Sequence, residues 1–332
     1  MNMNNDKIAL SWAKKYIPEQ LNEKVENSHL IANTSYSTVY RIETNLSHYY
    51  LKQVPKDLFE EANVYHYLKK LSCENIPIII GHDEKYHCFL LRSCGEQTFR
   101  QIFKYNLDLT LLYQGIEHYT HIQRTVENDI PNLLAQPIQN WRLDKLPTLY
   151  KSLIEKRELL LNDGLSEDYL SVLLSLETVV EDTCKEISLY NIPETLNHGD
   201  FQDNNMILCK STKMISIIDW AECTFTHPFF SLNTCLWNLG YFHGIKEGSQ
   251  QYNDIQKHCI KAWLDLHPEK ILLNLMNIVK KIHGIYAALN FYLLYQSTKD
   301  QSCSVLNEHP SAIAGCLMTF INANQEKIKR VS

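Results

Sequence analysis

No C-x-x-C pair occurs among the ten cysteines of this 332-residue chain, and the two closest, Cys88 and Cys94, stand six positions apart. Scattered cysteines in a chain of this length read as reduced core and surface thiols, not as a disulfide framework or a zinc ribbon. No tract of Lys and Arg appears, and the formal net charge is −6, which argues against a nucleic-acid partner. No apolar run is long and unbroken. The most apolar helical stretch, ILLNLMNIVKKIHGIYAALNFYLLY, is interrupted by Lys280, Lys281 and His283, so it makes a poor membrane span. The first residues, MNMNNDKIALSWAKKYIPEQ, put Asp6 before the apolar positions and Lys14 and Lys15 after them, the reverse of a secretory signal. A cytoplasmic location is expected. His118 and His121 lie one helical turn apart but have no partner pair at ligand spacing, and no internal repeat or low-complexity segment is visible.

What is present fits an ordinary folded protein: 45% of residues are hydrophobic and 21% charged, and the length allows two packed lobes. An amphipathic helix is expected over residues 6–16. STVYRIET and HYYLKQV, joined at Asn45-Leu46-Ser47, read as a hairpin. Residues 56–72 have helical spacing, IPIIIGHD and HCFLLRS read as two further strands, and a fifth is expected from Val25 to Ala32. Residues 97–189 read as helices. A second short hairpin, NMILCK and MISIIDW, turns at Ser211-Thr212, and the pattern is helical again from Pro228. The expected fold class is α+β and bilobal: a small β-rich lobe over 1–94, a hinge near Ser93–Gly95, and a large mostly helical lobe over 95–332.

The segment LNHGDFQDNNMIL, Leu196 to Leu208, gathers a histidine, two aspartates and three asparagines between apolar flanks. Asn, Asp and Gly are ordinary turn residues, so a plain turn is the first explanation. His198, Asp200 and Asn205, however, fit H-x-D-x-x-x-x-N, and Asp219 follows Asn205 by fourteen residues at the end of the apolar strand ISII. A hairpin between them can return Asp219 to the neighbourhood of Asn205. Phosphoryl transfer from a nucleotide needs such a set: a carboxylate for the acceptor hydroxyl, oxygen ligands for Mg²⁺, and a cation on the donor phosphates. Lys52, within the strand YYLKQV, is a candidate for the cation. Glu61 falls near the centre of the helical arc of Leu58, Val64, Tyr65 and Leu68. A carboxylate among apolar neighbours needs a partner, and Lys52 is the natural one; Glu60 lies toward the edge of the arc.

With these residues in place the chain resembles the aminoglycoside phosphotransferase and choline kinase-like enzymes, small-molecule relatives of protein kinases. YYLKQV, EANVYHYL, FLLRSCGEQT, LNHGDFQDNN, IIDW and HPFF carry the resemblance, in family order. It implies a protein-kinase-like fold and an ATP-dependent, Mg²⁺-assisted transfer to a small-molecule hydroxyl, with GTP as the alternative donor. By resemblance Asp200 is the catalytic aspartate, Asn205 and Asp219 bind Mg²⁺, Lys52 with Glu61 holds the donor phosphates, and His198 organises the loop. The segment Leu91 to Cys94, with Arg92 and Cys94, resembles the hinge whose backbone meets adenine. The phosphate-covering loop ANTSYSTVY contains no glycine, so Ser35 and Ser37 are expected to supply its donors. Gln202, Asp203 and Asn204 replace the histidine, proline and glycine common in the loop, and Ser231 stands where HPFF is often followed by aspartate. A protein kinase fits less well, because IIDW replaces D-F-G and no A-P-E-like segment follows. A nucleotide-binding scaffold without turnover is the alternative from another class. Trp220 and Glu222 are candidates to face the acceptor or simply to pack. Residues 95–197 hold sixteen Asp and Glu against nine Lys and Arg, so an acidic acceptor wall would come from there.

Overall fold

The computed structural model describes residues 3–331. It begins with helix α1 (Met3–Tyr16) and an antiparallel sheet of β1 (Val25–Asn33), β2 (Thr38–Thr44), β3 (His48–Gln53), then α2 (Glu61–Lys70), β4 (Ile79–Asp83) and β5 (Cys88–Arg92). The strand order is β1-β2-β3-β5-β4. Side chains alternate across a strand, and the two faces of β3 divide accordingly. Tyr49 and Leu51 join Ile42, Cys88 and Leu90 beneath Ala9, Ala13 and Ile17, which come from α1 and the turn after it. Lys52 points the other way. It pairs across the sheet with Phe89, on the face that meets Tyr65 of α2, whose ring centroid lies 6.3 Å from that of Phe89.

The helix expected over 56–72 is shorter. Lys56–Leu58 form a 3-10 turn after Pro55, and α2 starts only at Glu61. The proline lacks an N–H and sits in an extended conformation, so a continuous helix cannot enter from that side. Within IPIIIGHD only Ile79–Asp83 is strand. The expected fifth strand runs from Val25 one residue further, to Asn33, and lies at the sheet edge with two register shifts.

After the sheet come β6 (Gln97–Thr98), α3 (Phe99–Ile102), α4 (Leu109–Val126), α5 (Ile130–Leu134), β7 (Gln139–Asn140), α6 (Leu146–Ile154), α7 (Arg157–Asn162), α8 (Glu167–Ser175) and α9 (Glu177–Ser188). The helical reading of 97–189 therefore misses two strands of two residues each, too short to show a period. Next are β8 (Thr195–Asn197), β9 (Met206–Leu208), β10 (Ile215–Ile217) and β11 (Thr224–Thr226), followed by α10 (Phe229–His243), α11 (Gln250–Ile260), α12 (Glu269–Thr298), α13 (Val305–Glu308), α14 (Ala312–Ala323) and α15 (Gln325–Val331). The architecture is a bilobal, protein-kinase-like α+β fold. No helix among the described residues is long and apolar enough to cross a membrane.

Just past the hinge, Gln97 of β6 pairs with Leu208 of β9. Gly95 packs so closely there that a Cβ would stand 2.6 Å from the Leu208 carbonyl oxygen. Among the bonds that join the lobes beside the site, the Asn75 carbonyl accepts the Ile217 N–H at 2.8 Å, and the Asn75 amide donates to the Ile215 carbonyl at 2.8 Å.

Candidate active site

The polar loop is suspended between β8 and β9. Its entry is fixed by a buried chain of hydrogen bonds. Tyr119 of α4 accepts the His198 N–H at 3.0 Å and lies 2.5 Å from the Ser231 hydroxyl, which donates to Asn197 Oδ1 at 2.5 Å. Ser231 thus ties α10 to the loop, at the position where the resemblance expects an aspartate. The His198 imidazole is held below its usual range by burial, and its Nε2 donates to the Ile218 carbonyl at 2.7 Å. Gly199 has no room for a side chain: a Cβ would come 2.4 Å from the Glu222 carbonyl oxygen.

Asp200 is held on one side only. Its Oδ2 accepts from the amides of Gln202 and Asn205, the latter at 3.0 Å, and its main-chain carbonyl accepts from the same Asn205 amide at 2.8 Å. Oδ1 of Asp200 and Oδ1 of Asn205 have no hydrogen-bond partner among the described residues. Burial pushes the Asp200 carboxyl up to about 7, with Asp219 adding to the rise against the hydrogen bond from Gln202. The Ile218 N–H donates to the Asn205 carbonyl at 2.9 Å, which brings Asp219 to the loop as the hairpin predicts.

Lys52 meets both carboxylates. Its Nζ lies 2.6 Å from Glu61 Oε2 and 2.5 Å from Asp219 Oδ1. The pair expected from the helical arc is therefore present within a triad. Glu61 Oε1 accepts the Trp220 N–H at 3.1 Å, and one turn on, Tyr65 accepts the Asp219 N–H at 3.0 Å. Burial pulls the Lys52 ammonium down, but Asp219 and Glu61 outweigh it and hold the group protonated. Burial would raise Asp219 too, yet Lys52 leaves it below its usual value. Glu60 points elsewhere and accepts from Asn63 at 2.6 Å. Asp219 has a left-handed backbone, φ 66°, and its side chain is 46% exposed where that of Glu61 is 0%. The outer oxygen of Asp219 and Oδ1 of Asn205 are hard ligands of the kind Mg²⁺ takes together with phosphate oxygens, so the residues present fit that ion.

The donors of the glycine-free loop are engaged within the chain. The Ser35 N–H and hydroxyl, anticipated as phosphate donors, both go to the Glu308 carboxylate, at 2.7 and 3.0 Å. Ser37 is occupied within the loop: its N–H donates to Thr34 Oγ1 at 3.0 Å, and its carbonyl accepts the Thr34 N–H at 2.8 Å. A four-residue turn closed by these bonds needs no glycine. Between the two serines, Tyr36 has its phenol pushed up to about 12 by burial and by Glu222, Asp219, Asp200 and Glu308.

At the hinge, the Arg92 and Ser93 N–H groups are taken by the carbonyls of Ile78 and His48, at 2.9 and 3.0 Å. The Arg92 side chain is exposed, and the Cys94 N–H has no partner among the described residues. Trp220 is fully buried, with its ring centroid 4.7 Å from that of His198, so it packs. Burial and repulsion from Asp200 and Asp219 push the Glu222 carboxyl well above the usual range.

Sequence reasoning missed Tyr65, Tyr119, Arg100 and Glu308. Tyr65 had a signal, one turn after Glu61 on the same helix face. The other three act over long separations and leave none.

The model of the phosphotransferase enzyme family matches residues 30–252. No curated protein sequence matches the chain. Among solved structures, the Plasmodium vivax ethanolamine kinase superposes with a TM-score of 0.59 at 13% identity, over 97% of this chain and 88% of that one. Choline kinase LicA from Streptococcus pneumoniae gives 0.59 at 15% identity, over 94% and 98%. The GDP complex of wild-type aminoglycoside 2'-phosphotransferase-IIIa gives 0.56 at 13%, over 96% and 99%.

Proposed function

Because the chain belongs to the phosphotransferase enzyme family and is a small-molecule kinase of protein-kinase-like fold, we propose that it moves the γ-phosphate of ATP, or alternatively GTP, to a hydroxyl of a small molecule in the cytoplasm. Residues 1–94 would bind the nucleotide, and residues 95–332 would carry the acceptor and the base. The observation that carries the reading is Asp200: one carboxylate oxygen is fixed by two amides and the other is open, beside the Lys52–Asp219 pair.

In this reading the acceptor hydroxyl donates to Asp200 Oδ1, and that oxygen takes the proton as the phosphoryl group departs. A carboxyl raised toward neutrality is a better base than an ordinary aspartate. Lys52, steadied by Glu61, faces the donor phosphates. Asn205 and Asp219 would hold Mg²⁺, which supplies charge neutralisation on the phosphates. The Cys94 N–H would meet the adenine edge. The carboxylates of Glu222, Asp219, Asp200 and Glu308 all act on Tyr36, and such a gathering of negative charge favours an acceptor carrying an amine: an amino alcohol or an amino sugar.

The test is release of ADP or GDP from purified protein across ethanolamine, choline, amino sugars, plain sugars and nucleosides. Asp200→Asn should fold and bind nucleotide but turn over about 10²- to 10⁴-fold more slowly. Turnover of that variant within a few-fold of the unchanged protein would sink the assignment.

A further inference from the structure

Asp203, two residues before Asn205, has a side chain only 1% exposed, yet both of its oxygens are partnered. Arg100 of α3 grips it through Nε at 2.9 and 3.0 Å and through a terminal nitrogen at 2.6 Å. His243, at the end of α10, reaches its other oxygen at 2.7 Å. The guanidinium carbon also lies 3.4 Å from the centre of the Phe242 ring. Arginine held by a two-pronged carboxylate contact and stacked on an aromatic ring has little freedom left.

The same terminal nitrogen that binds Asp203 also donates to Gln202 Oε1, at 2.6 Å. Arginine can only donate and a carboxylate can only accept. The Gln202 amide therefore has one orientation that satisfies both neighbours: oxygen toward Arg100, nitrogen toward Asp200 Oδ2. A glutamine left to itself turns about three bonds; this one is fixed at both ends.

We propose that Arg100 is a positioning residue for phosphoryl transfer: through Gln202 it fixes the rotation of the Asp200 carboxylate, so that one oxygen is held back and the other faces the acceptor. The inference rests on the reading of Asp200 as the base. Asp203 and His243 hold Arg100, and Arg100 holds the amide. Asn205 and Gln202 together occupy Oδ2, so Oδ1 is turned to the cleft. The glutamine and aspartate that stand where histidine and proline are common thus act as one unit. Arg100 also sits just past the hinge, so the aim of the carboxylate is set from the segment that joins the lobes.

The experiment measures ADP released from MgATP, with water as the probe acceptor, for Arg100→Ala, Gln202→Leu, their double variant and Asp200→Asn. A misaimed base should cost about 10- to 100-fold in kcat, with the KM for MgATP within about threefold. The double variant should be no worse than the slower single one, because both break the same chain. Arg100→Lys should restore less than half of the lost kcat, since an ammonium lacks the planar fork. Should Arg100→Ala fail to fold because Asp203 is left buried, Gln202→Leu keeps the Arg100–Asp203 contact and carries the test. Crystal structures of the unchanged protein and Gln202→Leu with a non-hydrolysable MgATP analogue supply a second measure: Oδ2 should stay on the amide in the first, and the carboxylate should rotate in the second. Loss of turnover in Asp200→Asn with an unaltered kcat and carboxylate orientation in Gln202→Leu overturns the positioning role alone. Full turnover in Asp200→Asn overturns the base itself.

Discussion

Ser35, at the tip of the small lobe, gives both its N–H and its hydroxyl to the Glu308 carboxylate, which lies 273 residues further along the chain. An anion already sits where the loop was expected to receive phosphate. Those two donors cannot serve a carboxylate and a phosphate at once, and Glu308 also adds its negative charge to those of Glu222, Asp219 and Asp200 around Tyr36.

Glu308→Ala should accordingly bind MgATP more tightly, by about three- to tenfold, since hydrogen bonds to charged groups are worth about 1.5–3 kcal/mol and part of that is lost in exchange for water. Calorimetric titration reads it directly. Weaker binding in the variant would mean that Glu308 supports the nucleotide instead of competing with it.

Asp219→Ala should remove the Mg²⁺ dependence of ATP binding. The outer oxygen of Asp219 is the one hard ligand that the hairpin brings toward Asn205 from the far side, and Mg²⁺ selects oxygen. Thermal-shift titrations with ATP, with and without Mg²⁺, compare the two proteins. An undiminished Mg²⁺ effect in the variant places the ion elsewhere.

Lys52 and Glu61 should be coupled. Lys52→Ala leaves the Glu61 carboxylate, 0% exposed, with only the Trp220 N–H, and breaking a buried pair from one side typically costs about 3–5 kcal/mol. The double variant should be little worse than the worse single one in melting temperature and in turnover. Simple addition of the two effects would remove the pair from the account.

Acid should destabilise the fold through His227. Burial holds its imidazole down to about 3, while an unfolded chain titrates near 6.5. The group is neutral in both states above pH 6.5, so it contributes nothing to the slope there. Below that, the unfolded state binds the extra proton, and stability falls by up to about 1.4 kcal/mol per pH unit until pH approaches 3. His283, depressed to about 4 by burial and then by Lys280, adds to the same loss. Denaturant unfolding of His227→Gln between pH 7 and 4 should show a shallower decline than the unchanged protein; an identical slope removes His227 as a cause.

The parts of this molecule that a reader of the sequence can see are those written at short range. Alternation put Lys52 on the opposite face of β3 from Leu51, and 100° spacing put Glu61 inside the buried arc of α2, so their meeting followed from two local periods. H-x-D-x-x-x-x-N and the hairpin behind it are also local. The break before α2 was less visible, because helical spacing continues across residues 56–60 and only Pro55 hints at the interruption. Ser35–Glu308 and Arg100–Asp203 obey no period. Each pairs an unremarkable surface-type residue with a partner more than a hundred positions away, and only the folded chain brings them together. The same is true of Ser231, which meets Tyr119 of α4 from 112 positions away.

The cleft is stitched from bonds that span most of the chain. Asn75 brackets β10 with its carbonyl and amide, Lys52 and Glu61 reach Asp219 and the Trp220 N–H, and Ser35 reaches Glu308. Each joins residues more than a hundred positions apart, so the cleft comes into being only when the late part of the chain arrives: a fragment ending before Asp219 would own Lys52 and Glu61 but have nothing for them to face.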